Sequence, residues 1–127
     1  MSSLPAHLGQ YPPAQAIAIA RGLVRRGVYD LTPNAAGELA ELLNSLGRAG
    51  PDDVREALEA IMRELDTSHY RPPRDPERVP GIPFIWDSRY FGKPLYFKFK
   101  LVGSKKKPRM VIFSCHPPDF SRVTFEP

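Results

Sequence analysis

The stretch from Pro94 to Val102 alternates so regularly that it restricts everything around it. Leu95, Phe97, Phe99 and Leu101 take every second place, with Tyr96, Lys98, Lys100 and Val102 between them. Only an extended strand sends alternate side chains to opposite faces. One face therefore enters a core, and the other carries an aromatic hydroxyl and two ammonium groups. Such a strand needs neighbours to satisfy its backbone and a layer to cover its dry face. Phe84 to Tyr90 and Arg109 to His116 are the candidate neighbours. Phe91-Gly92-Lys93 forms a tight turn and Gly103 to Pro108 a basic one. The expectation is a three-stranded antiparallel meander, alone or within a larger sheet.

The covering layer lies upstream. From Ala14 to Arg26, Ile17, Ala20, Leu23 and Val24 recur at helical spacing, after Pro12-Pro13 and before Gly27, the residues that open and close a helix. Val28 to Leu31 reads as a short extended or turn segment. Thr32-Pro33 then starts a second helix striped by Leu39, Leu42, Leu43 and Leu46. Pro51-Asp52-Asp53 starts a third, with Val54, Leu58, Ile61, Met62 and Leu65 on one face. Residues 66–83 hold five prolines and six charges, which exclude a regular helix or central strand. The fold class predicted is α+β, with helices (14–65) packed on a C-terminal antiparallel sheet (84–116) of at least three strands. A basic loop (66–83) joins them, and a flexible lead-in (1–13) precedes the domain.

At 127 residues, the length suits one hydrophobic core. The segment Met1–Pro13 lacks the basic start and apolar run of a signal peptide, and no apolar stretch is long enough to span a bilayer. A lone cysteine, Cys115, cannot form an intrachain bridge. These features predict a cytoplasmic chain. The charge is uneven: residues 1–64 carry six Lys/Arg against eight Asp/Glu, whereas residues 65–127 carry twelve against six. That places a positive field over the C-terminal half, suited to a phosphate polymer or an acidic protein. The three histidines are scattered and no cysteine cluster exists, so no metal site is expected. No glycine-rich loop follows a strand, so no nucleotide cofactor is expected either.

Ile85-Trp86-Asp87-Ser88-Arg89-Tyr90, then Gly92, then Tyr96-Phe97-Lys98, then Val111-Ile112-Phe113-Ser114 resemble the C-terminal half of the MqsR-family toxins. The run from Leu65 to Arg71 resembles that family's helix leading into a Phe-Tyr-Lys-Ser element. The resemblance spans about residues 54 to 116. It implies a RelE-like fold, ribosome-independent cleavage of mRNA without a metal, and a cognate antitoxin partner. It places Arg71 at the lysine after the family's Phe-Tyr pair, and Tyr96 at the tyrosine of the Tyr-x-Lys strand. Two positions depart from the family: Asp87 replaces a glutamine and His116 a lysine. The implied catalytic set is Arg71, Asp87, Tyr96 and His116.

Those residue types suit the chemistry. Cleavage by a 2′-hydroxyl needs proton carriers and charge on the crowded phosphorane. Histidine moves protons near neutral pH, so His116 is the natural carrier. Arg71 offers a fork of donors to phosphate oxygens. Tyr96 can hold a phosphate oxygen or stack a splayed base. Asp87 can orient His116 or pair with Arg71, but would repel a bare phosphate. Lys98, Lys100, Arg74, Arg89, Lys105, Lys106 and Lys107 make up the RNA-facing set; the lysine triplet can steer a polyanion but not read sequence. Against each stands a plainer role: Tyr96, Lys98 and Lys100 as the solvated face of a strand, His116 as a surface residue. Trp86 reads as a packing residue. Strict alternation sets Cys115 on the face of Val111 and Phe113, as a buried small hydrophobe pointing away from His116. Two other functions fit the same composition: a non-catalytic nucleic-acid-binding module, and an antitoxin- or immunity-type protein-interaction domain.

Overall fold

A computed structural model describes residues 11–48, 50–72 and 81–118. Three helices precede most of the sheet: α1 (Pro13–Arg26), α2 (Pro33–Ser45) and α3 (Asp53–Glu64), followed by a single 3-10 turn, Thr67–His69. Local chemistry sets their ends. Pro13 opens α1, and Gly27 closes it at φ 75°, a left-handed conformation that a side chain disfavours. Thr32 Oγ1 accepts the Ala35 N–H at the start of α2, and Asp53 and Glu56 lie at the positive end of α3.

The sheet contains β1 (Tyr29–Leu31), β2 (Ile82–Ser88), β3 (Lys93–Gly103) and β4 (Pro108–His116), in the order β1-β4-β3-β2. The expected meander is present as β2, β3 and β4, each antiparallel to the next. Of the two expectations for Val28–Leu31 the extended one holds: Tyr29–Leu31 pairs in parallel with Met110–Ile112, which corrects the antiparallel sheet to an open, four-stranded, mixed one. Three residues with little alternation leave strand and turn both open; the partner supplies the hydrogen bonds that decide. The first meander strand starts two residues earlier than expected and ends at Ser88. Its turn closes through Gly92, whose N–H donates to Ser88 O at φ 69°.

The core forms where helices meet the dry face. Leu95, Phe97 and Phe99 are fully buried with Phe84, Met110 and Ile112, against Leu23, Leu39, Leu58 and Ile61 of the helices. Phe84 stacks on Phe99 at 5.8 Å. Each such side chain contributes about 1.5–3 kcal/mol of transfer free energy, so β3 is the most firmly held strand. α2 packs along β4, and α1 packs on α3. Glu64, at the end of α3, ties the layers together: its carboxylate accepts Trp86 Nε1–H and the Tyr90 N–H, both at 2.8 Å. Trp86 is thus a buried packing residue, as its place in the strand suggests.

The described ends of the 66–83 connection are tied to the fold. Asp66 caps the 3-10 turn, Tyr70 bridges Phe84, and the Arg71 N–H donates to Pro83 O at 3.0 Å. Ile82 and Pro83 belong to β2. Pro83 is tolerated because β2 is an edge strand, where a missing N–H costs least. The expected lead-in lies mostly outside the described residues, as does Arg74.

Candidate functional site

The open face of the sheet is built by register. Ile85 on β2, Tyr96 on β3 and His116 on β4 stand in one row; Pro83, Lys98 and Ser114 stand in the next. Tyr96, Lys98 and Lys100 are half-buried here, while their neighbours in sequence lie in the core, as the alternation requires.

His116 reaches this face only through a bulge. Lys98 pairs with Ser114, but Phe99 pairs with Ile112, leaving Phe113 as an extra residue. An inserted residue shifts the alternation of everything after it by one place. Strict alternation from Ile112 would send His116 inward. The bulge instead turns Cys115 into the core and His116 outward, and it corrects the expected facing of Cys115. Val111 and Phe113 lie on the open face, and Cys115 shares the core side with Met110 and Ile112. Cys115 is a buried small hydrophobe as expected, by a different route. Burial, aided by the charge of Glu38, pushes its thiol up to about 12, so it is inert as a nucleophile. The Lys98 ammonium stands 6.0 Å from the Phe113 ring.

The bulge begins where β1 ends. Leu31 makes the last parallel pair, with Ile112, and the Thr32 N–H donates to Ile112 O. Beyond it, β4 is bordered by α2. There Glu38 Oε1 accepts the Cys115 N–H at 2.9 Å, and the carboxylate serves where a strand would have paired. Asn34 Nδ2 donates to Oε2 at 3.2 Å, and His116 Nε2 lies 4.0 Å from that same oxygen.

The geometry fixes the histidine's working atom. Nδ1 lies 2.7 Å from Pro117 O. A carbonyl can only accept, so Nδ1 carries the hydrogen, and Nε2 is the nitrogen left for chemistry. The Tyr96 ring lies 5.2 Å from the imidazole. Burial, and then the charge of Glu38, hold the Tyr96 phenol above its ordinary range. Burial pushes the Lys98 ammonium down, against a smaller opposing pull from Glu38. Four groups from three elements therefore share one half-dry corner: Glu38, Tyr96, Lys98 and His116.

Not all the sequence-derived residues meet there. Asp87 is exposed on β2, opposite Pro94, and the carboxylate that faces His116 is Glu38. Arg71 flanks β2 at Pro83, three strand spacings from β4, or about 14 Å between backbones. Its guanidinium donates to Ser68 O at 3.1 Å and Tyr70 O at 2.9 Å. Lys100 continues the open face beside Val111. Arg89 is exposed in the β2–β3 turn. Lys105, Lys106 and Lys107 are exposed in the β3–β4 turn, about 23 Å along β3 from Tyr96. Glu38 escaped the sequence reading because nothing in a leucine-striped helix marks one glutamate out. The only local signal is Asn34, four residues earlier on the same helix face.

Among the described residues no group of three or more His, Cys, Asp and Glu side chains is placed to hold a metal ion, and no helix is long and apolar enough to cross a membrane. A cleft of about 290 Å³, lined by Arg21, Arg25, Arg63 and Glu59 over Val24 and Met62, lies between α1 and α3. It is built wholly from helical residues, apart from the sheet. No family model, curated protein or solved structure matches the chain.

Proposed function

We propose that the chain is a metal-free, ribosome-independent endoribonuclease with a RelE-like fold of the MqsR type. It acts on single-stranded mRNA in the cytoplasm as a toxin and is neutralised by a cognate antitoxin. The observation that carries this reading is the meeting of Tyr96, Lys98 and His116 on one open face. Proton transfer, positive charge and a flat ring are what a phosphodiester with an adjacent 2′-hydroxyl requires.

In this reading the RNA backbone runs along β3. Lys98 and Lys100 hold phosphate oxygens and stabilise charge as the phosphorane forms, the kind of fixed electrostatic help that contributes most to catalysis. Tyr96 stacks a base or holds a phosphate oxygen. His116 Nε2 handles one of the two protons that the step moves. The lysine triplet draws the polyanion in from its far end. Arg71, tied to its own loop, has no part in the step. An antitoxin that covers the His116 corner blocks the reaction, since every reacting group faces the same way.

The test is induced expression in a bacterial host, with and without His116→Ala, followed by mapping of RNA 5′ ends. The expected outcome is growth arrest with new 5′ ends, both lost in the variant. Harmless expression of the folded wild-type chain would overturn the reading. Phe113 favours a second reading, a non-catalytic single-strand-binding module. It adds an aromatic ring beside Lys98 on the open face, and stacking with cations is sufficient for binding. Under that reading the chain binds RNA with or without His116 and cuts neither way.

A further inference from the structure

Cleavage by a 2′-hydroxyl moves two protons: one leaves the attacking oxygen and one joins the departing oxygen. His116 serves only one of these at a time. We propose that Glu38 is the other carrier, the base that takes the 2′-hydroxyl proton while protonated His116 supplies the 5′-oxygen. This assignment rests on the endoribonuclease reading.

Three observations point to it. Glu38 Oε1 is committed to the Cys115 N–H at 2.9 Å, and Asn34 holds Oε2 at 3.2 Å, so the carboxylate is aimed rather than swinging. Oε2 lies 4.0 Å from His116 Nε2, the nitrogen that the Pro117 carbonyl leaves outward. The two groups are therefore neighbours, close enough for a proton to pass back from one to the other once the step is over. Finally, the Glu38 side chain is 23% and the His116 side chain 35% exposed, so both remain open to a substrate. The other titratable groups here are Tyr96 and Lys98 from β3. Lys98 lies within electrostatic range of Glu38 and offsets the repulsion between a carboxylate and a phosphate.

The step balances within this pair. The 2′-O–H proton passes to Glu38 Oε2, and the freed electron pair forms the new bond to phosphorus. The bond from phosphorus to the 5′-oxygen breaks, and that oxygen takes the Nε2 proton of the imidazolium. The products are a 2′,3′-cyclic phosphate and a free 5′-hydroxyl. The proton on Glu38 then crosses to Nε2, restoring both groups.

The competing role for Glu38 is a brace for the β4 edge, and Glu38→Gln separates the two. The amide oxygen still accepts from Cys115, but the side chain is no longer a base. With the purified full chain and a long single-stranded RNA of mixed sequence, Glu38→Gln is expected to melt with the wild type. It should lose about 100-fold or more in cleavage, along with the acid limb of a bell-shaped pH profile. Cleavage at the wild-type rate with both limbs intact would overturn the proposal and leave the nuclease reading standing. A wild-type chain that leaves this RNA uncut would remove both. Should Glu38→Gln not fold, the exposed Asn34→Ala serves instead. It removes a hydrogen bond to Oε2 and leaves the brace, so the acid limb should move to higher pH; an unmoved limb counts against Glu38.

Discussion

At the Tyr96 end of the open face, Lys98 is half-buried beside Tyr96, His116 and Glu38, with the Cys115 thiol in the core behind them. At the Gly103 end, Lys105, Lys106 and Lys107 stand fully in water around a turn closed by the Lys107 N–H to Ser104 O. An ion pair near that end, Arg109 to Asp30 at 2.7 Å, is itself exposed, and such pairs contribute about 1 kcal/mol or less. The two ends carry the same kind of charge, yet only one holds it in a fixed, partly dry setting. Water screens the turn lysines, so they attract at a distance and order nothing. Partial burial makes the other end sensitive to every group beside it.

The contrast can be broken from either side. The largest effect should come from His116→Ala, with cleavage falling by about 10²–10⁴-fold in a gel assay on single-stranded RNA while the melting temperature holds. Equal cleavage by this variant would erase the distinction between the ends.

Cys115 sharpens the contrast from beneath. Its folded thiol titrates near 12, against an ordinary value of 9.0. Because the folded value is raised, the stability it contributes is complete below pH 9 and is lost progressively as pH climbs towards 12. The slope is about 1.4 kcal/mol per pH unit in that window. Denaturant unfolding from pH 8 to 11 should show a shallower loss for Cys115→Ala than for the wild type; parallel curves would place the thiol in a wetter site than its burial indicates.

At the solvated end, replacing Lys105, Lys106 and Lys107 with alanine should flatten the salt dependence of RNA binding. The slope should drop by about two, at roughly 0.7 per phosphate contact on a single strand, with the saturated cleavage rate unchanged. A fall in that rate would mean the turn does more than steer. The smallest effect is expected for Arg71→Ala, whose guanidinium serves its own loop: cleavage within about threefold of wild type. A loss near that of His116→Ala would bring Arg71 into the reaction.

Much of the architecture was legible in the chain, since side-chain periodicity is local and the hydrophobic effect enforces it. The β3 alternation from Leu95 to Leu101, the leucine stripe of α2 and the capping residues Thr32 and Gly27 each specify their own element. The candidate site was legible only in part. Tyr96 and Lys98 follow from alternation on β3, but the partners brought to them depend on pairings between distant residues. β1 is too short to announce itself, and the bulge at Phe113 leaves no local mark.

The sequence alone therefore determined that one strand has a dry and a charged side, and that helices must cover the dry one. It did so because burial of alternate large side chains admits no other conformation. Which charged and titratable groups share a corner was decided by tertiary structure. One inserted residue in β4 turned His116 outward, and the end of β1 left a backbone N–H for Glu38 to hold, and neither depends on neighbours in the chain.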